Sequence, residues 1–220
     1  MKNDRRFQKT EKEIRHAFIQ LLGEKGFEKL TVHDIATSAD INQATFYQHY
    51  PDKYALLESC ENDYLCHAEA LIQPLLSVDL VALYQSGKPI PALEKMLAYH
   101  KENSELLLGL LNNGIQSSFH DRLFAAALAH LETVTTQSMA APPDFPLHYI
   151  AAYIINAHFS IVIEWLKSGA HESIAEMADL MTRLTIRGPF RDSWSGMKKL
   201  NGHAPSPSCI IKKYVRKGDL

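Results

Sequence analysis

The stretch that most constrains this chain is Thr31 to Leu57, TVHDIATSADINQATFYQHYPDKYALL. Thr31 offers a hydroxyl to cap a helix, and Asp34, three residues on, can reach back to the Thr31 amide as a capping box. Val32, Ile35, Ala36 and Ala39 then fall at helical spacing, so a short helix with one apolar stripe is expected. Ser38-Ala39-Asp40 ends that pattern, and Asp40 and Asn42 are residue types that turn the chain and cap the next helix. Gln43 to His49 reads as that second short helix. It puts Phe46 and Tyr50 on one side and leaves Gln43, Ala44, Thr45, Tyr47 and His49 on the others. Pro51 stops it, because the residue before a proline is pushed out of the helical region, and Lys53 opens a third helix.

Two short helices joined by a tight turn, the second rich in small and polar donors, is the pattern of a helix-turn-helix. Neither helix buries a core alone. The packing partner lies upstream, where Gln8 to Lys25 carries Ile14, Ala17, Phe18, Leu21 and Leu22 on one amphipathic face. Gly26 sits where a helix C-cap favours positive φ, with Phe27 placed to fold back on the last turn. Residues 1–7 are polar and basic and read as a mobile arm.

The run Thr31-x-x-x-Ile35-Ala36-x-x-Ala39-x-Ile41, then Ala44-Thr45-Phe46-Tyr47-x-His49-Tyr50-x-x-Lys53-x-x-Leu56-Leu57, resembles the DNA-binding domain of TetR/AcrR-family transcriptional regulators without a gap. The main departure is Tyr50, where that family usually carries Phe. A ring is kept, but a buried hydroxyl requires a partner.

The rest of the chain is helical in pattern. The third helix of the motif region runs from Lys53 through Leu57, Cys60, Tyr64 and Ala68 toward Ile72. Ser86-Gly87-Lys88-Pro89 marks a loop. Short helices are expected at Ile90–His100 and Glu102–Asn112, and longer ones at Phe119–Met139, His148–Lys167 and Glu172–Arg187. Residues 148–167 are apolar on most sides, the mark of a helix covered all round. From Gly188 onward the chain is rich in Gly, Pro, Ser and Lys without a period, and reads as a flexible basic tail. Strand signals are absent. The fold expected is all-α, with a helix-turn-helix domain at 1–52, a larger helical domain at 53–187 and the tail at 188–220.

Composition bounds the function. At 220 residues, 46% hydrophobic and 22% charged, the chain is that of a globular protein, and its net charge of −2 hides local basic runs. Lys2, Arg5, Arg6, Lys9, Lys12 and Arg15 crowd the start; Lys198, Lys199, Lys212, Lys213, Arg216 and Lys217 crowd the end. Local patches rather than net charge attract a polyanion. No apolar run reads as long enough to span a bilayer, and the start is charged rather than signal-like, so a cytoplasmic protein without membrane partners is expected. Cys60, Cys66 and Cys209 are not spaced as a metal or redox pair, and no Gly-rich phosphate loop, H-E-x-x-H or G-x-S-x-G is present. An enzyme, a cofactor and a metal are therefore not expected.

The resemblance implies more. Gln43, Ala44 and Thr45 would face base edges in the major groove, Gln43 pairing with adenine and Thr45 meeting a thymine. Thr31, His33, Tyr47, His49 and Lys53 match positions that meet backbone phosphate, although Thr31 is a cap in any case and Lys53 has the alternative of plain solvation. The resemblance also implies a homodimer through helices 148–167 and 172–187, a near-palindromic double-stranded DNA operator, and a small organic effector. Candidates for the effector site are Tyr99, His100, Asn112, Phe119, His120, Tyr153, His158 and Trp165, each equally a core or interface residue. The reading is thus a homodimeric repressor released by its effector; the alternative is a protein of the same fold acting as an adaptor, co-activator or nucleoid-associated factor.

Overall fold

The computed structural model describes residues 2–74, 88–112, 118–138 and 146–187, with backbone alone at a few helical positions, Asn112 among them. The described residues form only helices, with no strand. They are α1 Lys2–Lys25, α2 Val32–Ser38, α3 Gln43–His49, α4 Lys53–Ile72, α5 Pro91–Glu102, α6 Ser104–Asn112, α7 Ser118–Ser138, α8 Leu147–Lys167 and α9 Ile174–Arg187. Two compact units divide the chain, 1–182 and 183–220; of the second only 183–187, the end of α9, is described. The tail expected at 188–220 lies outside the described residues, as do Ser86 and Gly87 of the loop read at Ser86–Pro89.

One core runs through the first unit. The α1 stripe Ile14, Ala17, Phe18, Leu21 and Leu22 is buried against Ile35 of α2, Phe46 of α3 and Leu56 and Cys60 of α4. It continues into Leu93 and Leu97 of α5, Leu107 and Leu110 of α6, Phe119 of α7 and Val162 and Trp165 of α8. Full burial of one such side chain stabilises the fold by roughly 1.5–3 kcal/mol. α6 lies close on α1 because residue 109 is glycine: a Cβ there would stand 3.0 Å from the Leu22 side chain. Gly26, at φ 74°, ends α1 with its amide on the Leu22 carbonyl at 3.1 Å, as its position suggested.

Two expectations are corrected. α1 begins at Lys2, not Gln8, so residues 2–7 are helix rather than a mobile arm. Nothing in that stretch breaks a helix, and Phe7 is held by stacking on His49 of α3, ring centroids 3.8 Å apart. Residues 148–167, within α8, reach a mean hydropathy of 1.3, so among the described residues one helix is long and apolar enough to cross a membrane by length and composition. No unbroken apolar run is visible there because Asn156, His158 and Ser160 interrupt it, and the average over the helix is high all the same. α8 is tied into the fold at its end. The Trp165 Nε1–H donates to the Glu172 carbonyl at 3.2 Å, and the Lys101 ammonium donates to the Ala170 carbonyl at 3.0 Å.

Candidate nucleic-acid interface

α2 and α3 are both set by side-chain caps. The Thr31 hydroxyl accepts from the Asp34 amide at 3.1 Å, while the Thr31 amide and hydroxyl donate to Asp34 Oδ2 at 3.0 and 2.7 Å, the capping box read from the sequence. Lys25 adds an ion pair to Asp34 at 2.8 Å. That ammonium, then the Thr31 hydroxyl and amide, hold the Asp34 carboxyl down to about 2. The turn between the helices passes through Asp40 at φ 53°, and the Ile41 amide closes it on the Ala36 carbonyl at 2.9 Å. A short acidic side chain is among the few that tolerate this left-handed backbone. Asn42 then caps α3 through its Oδ1 on the Thr45 amide at 2.7 Å.

α3 buries Phe46 completely and turns the opposite face outward. Gln43, Ala44, Tyr47 and Gln48 are exposed, and Thr45 is half-buried. The Thr45 hydroxyl donates to Asn42 Oδ1 at 3.0 Å, which leaves its oxygen lone pairs and its methyl for a base edge. The Gln43 carboxamide nitrogen lies 3.1 Å from His33 Nδ1, so the leading residue of α3 is braced by α2. Tyr47 is 53% exposed, its ring edge-on to Phe46. Six of the eight expected contact residues (Thr31, His33, Gln43, Ala44, Thr45 and Tyr47) thus stand together at the surface of the two short helices.

The other two are placed differently. Lys53 is turned inward: its ammonium donates to the carbonyls of Phe27 at 2.9 Å, Leu30 at 2.8 Å and Glu28 at 3.3 Å, and stands 4.6 Å over the Phe27 ring. An ammonium has three donors, and all three are engaged by the α1–α2 loop. Lys53 therefore ties α4 to the α1–α2 loop, a placement that its position in the motif did not suggest. His49 is half-covered beneath Phe7, and burial lowers its pKa, with Glu11 pulling the other way. A neutral ring here is a weak partner for phosphate.

Tyr50 finds the partners that its hydroxyl requires. It is 7% exposed, donates to Glu11 Oε1 at 3.0 Å and accepts from Arg15 Nε at 3.0 Å. The motif itself does not point to Glu11 and Arg15 as this pair, though their i, i+4 spacing on the helix facing a buried tyrosine is a usable signal.

The effector candidates do not converge as a set. Tyr99, His100 and Phe119 surround Tyr64 of α4, ring centroids 5.1, 6.0 and 5.5 Å away, and the Tyr64 hydroxyl bonds His100 Nδ1 at 2.5 Å. Burial holds His100 down to about 4, so the ring that meets the Tyr64 hydroxyl is neutral. Tyr64 belongs at the centre of this group, although its spacing in the sequence marks it only as a core position. Tyr153 does not join it, being 58% exposed on α8, and Trp165 is committed to the α8–α9 loop. His120 stacks by Phe124 and meets Phe159 edge-on, apart from the Tyr64 group. His158 is half-buried on α8, and desolvation there holds it down to about 4. The Asn112 side chain lies outside the described residues. A cavity of about 300 Å³ opens beside Tyr64 and Tyr99, lined also by Arg15, Asp63, His67 and Asn103.

Comparison with known proteins agrees with this geometry. A family model described as bacterial regulatory proteins, tetR family, matches residues 14–60, and one described as a transcriptional regulator C-terminal region matches residues 87–187. The uncharacterized HTH-type transcriptional regulator YxbF of Bacillus subtilis (strain 168) is 39% identical over 208 residues. That match takes in 94% of this chain and 52% of the relative, so the chain spans about half the relative's length. Among solved structures, a TetR transcriptional regulator from Streptococcus agalactiae 2603V shares the fold with a TM-score of 0.58 at 22% identity, over 84% of this chain and 98% of that one. The transcriptional regulator FadR from Bacillus subtilis, in complex with stearoyl-CoA, does so at 0.60 and 15%, over 80% and 97%. The dihydroxyacetone kinase operon activator DhaS does so at 0.53 and 23%, over 81% and 94%.

Proposed function

The chain belongs to the TetR family, and from that premise we propose that it is a DNA-binding transcriptional regulator, a homodimeric repressor that a small organic effector releases from its operator. One observation carries the reading: a pair of capped short helices, anchored by Phe46, presents Gln43, Ala44, Thr45 and Tyr47 to solvent. A recognition helix needs that division, one face fixed in the core and the other free for a base edge. Gln43 reads an adenine edge, Thr45 a thymine, and Ala44 lets the helix approach closely. Tyr47, His33 and the N-terminus of α2 at Thr31 meet the flanking phosphates, which set register rather than sequence. The DNA-binding head spans 1–52 and the body 53–187.

The dimer reading rests on α8. Only 22% of its membrane-length stretch is buried although nearly every turn is apolar, and Tyr149 and Tyr153 stand 68% and 58% exposed along one stripe. A second copy of α8 and α9 covers that stripe and sets two recognition helices about 34–36 Å apart, one turn of duplex. An apolar body with a few polar-tipped aromatics suits an organic ligand, and FadR, of similar fold, holds stearoyl-CoA. Such a ligand acts as an inducer when it prefers the spacing that does not fit DNA. The sign of regulation has a second reading, since DhaS shares the fold and is an operon activator.

Selection from a randomised duplex pool tests the proposal. A near-palindromic site bound by a dimer supports it; a protein that stays monomeric and enriches no sequence overturns it. A reporter placed behind the selected site separates repression from activation.

A further inference from the structure

Arg15 reaches from α1 to two other elements at once. Its Nε donates to the Tyr50 hydroxyl at 3.0 Å, Nη1 pairs with Asp63 of α4 at 2.6 Å, and Nη2 donates to Ser59 of α4 at 2.6 Å. Glu11, one turn earlier on α1, closes the loop by accepting from Tyr50 at 3.0 Å. Tyr50 is the C-cap of the recognition helix, while Ser59 and Asp63 sit two and three turns into α4. A single planar guanidinium therefore joins the end of the DNA-reading helix to the helix that leads into the body.

We propose that Arg15, with Tyr50 and Asp63, is a strap that positions the recognition helix on α4, so that DNA affinity depends on a linkage which itself touches no DNA. The inference rests on the DNA-binding reading above. The magnitudes separate positioning from plain stability. The side chains of Arg15, Glu11 and Asp63 are 24%, 34% and 57% exposed, and ion pairs so open to water add little to the folding balance. A rigid fork of donors, in contrast, fixes direction, which a flexible lysine cannot do. Phenylalanine at position 50 would fill the same space in the core but remove the polar tie between the end of the recognition helix and Arg15, while Arg15 kept its own contacts to α4. The cavity of about 300 Å³ shares Arg15 and Asp63 in its wall, so an occupant there would meet the strap directly.

A double-mutant cycle tests this in the full chain. Tyr50→Phe cuts the strap at the head, and Ser59→Ala with Asp63→Ala cuts it at α4. The probe is the duplex that the wild-type protein enriches from a random pool. Each cut should weaken binding about three- to tenfold, with an unchanged salt slope because no phosphate contact is lost. The combined variant should bind no more weakly than the worse single cut, since a strap severed at one end has nothing left to lose at the other. Melting temperature, which reports the merely structural role, should fall by only a few degrees. Losses that multiply, affinity that does not change, or a flattened salt slope would each overturn the strap. A wild-type protein that enriches no duplex instead sinks the DNA-binding reading, and the strap with it.

Discussion

Lys53→Ala is the sharpest test of how the head is built, because two readings of one residue give opposite results. In the structure its ammonium holds the carbonyls of Phe27 and Leu30 at 2.9 and 2.8 Å, with Glu28 more loosely at 3.3 Å. A hydrogen bond to a charged group contributes about 1.5–3 kcal/mol. The Glu28 contact is exposed and readily replaced by water, and the other two are only partly buried, so a net loss of about 2 kcal/mol is reasonable. In a chain of this length each kcal/mol lowers the melting temperature by roughly 2–4 °C, giving a fall of about 4–8 °C. Lys53→Met, which keeps a stem over the Phe27 ring, should recover a part of that. A phosphate ligand behaves otherwise: its loss leaves the melting temperature alone and flattens the slope of log K against log salt by about 0.9. Calorimetry and a salt titration of DNA binding on the same preparation decide between them. An unshifted melting temperature with a flattened slope would refute the tie and return Lys53 to the DNA.

Gln43→Ala should relax preference at one base pair, with discrimination there falling by ~1–3 kcal/mol and binding elsewhere in the site little altered; repeating the duplex selection with the variant reads this directly. Tyr153→Asp, on the exposed stripe of α8, should leave the fold intact and shift the protein toward monomer in sedimentation velocity, because the substitution places a charge where a partner helix would desolvate it. His100 and His158 are both held down to about 4 by burial, from an ordinary value of 6.5. As pH falls below about 6.5 the unfolded chain takes up protons that the folded one refuses, so their stabilisation is full above that value and lost on the way down to about 4. His100→Gln, which keeps an acceptor for Tyr64, should remove about one proton from that dependence in urea titrations; an unchanged pH slope would mean that His100 is not buried neutral.

Features decided within a turn or two of helix are legible in the sequence. The Thr31–Asp34 capping box, the Asn42 cap, the glycine stop at residue 26 and the bounds of α3 all depend on partners three or four residues away, and all appear in the structure. Periodicity locates the α1 stripe and the six later helices to within a few residues. Sequence reasoning fails where the deciding partner is distant. Residues 2–7 are helical, and Phe7 there meets His49 across forty-odd residues of chain. Tyr64 becomes the centre of an aromatic group only once α5 and α7 fold onto α4.

Lys53 and Tyr50 together show what a motif carries and what it does not. A motif preserves residue type at a position, and type constrains chemistry: position 53 keeps a cation, position 50 keeps a ring. It does not specify which neighbour that chemistry meets. Three loop carbonyls lie within reach of the Lys53 ammonium, so a charge expected to face outward is drawn into the fold. The hydroxyl that Tyr50 adds to the ring cannot remain buried without partners, and it takes Glu11 and Arg15 on consecutive turns of α1. Arg15 has donors left over, and these reach α4. One added oxygen at the end of the recognition helix thereby joins a chain of polar contacts extending three turns into the next helix. For that reason the departure from the family pattern at position 50, rather than the match around it, is where this protein's own behaviour should differ from that of its relatives.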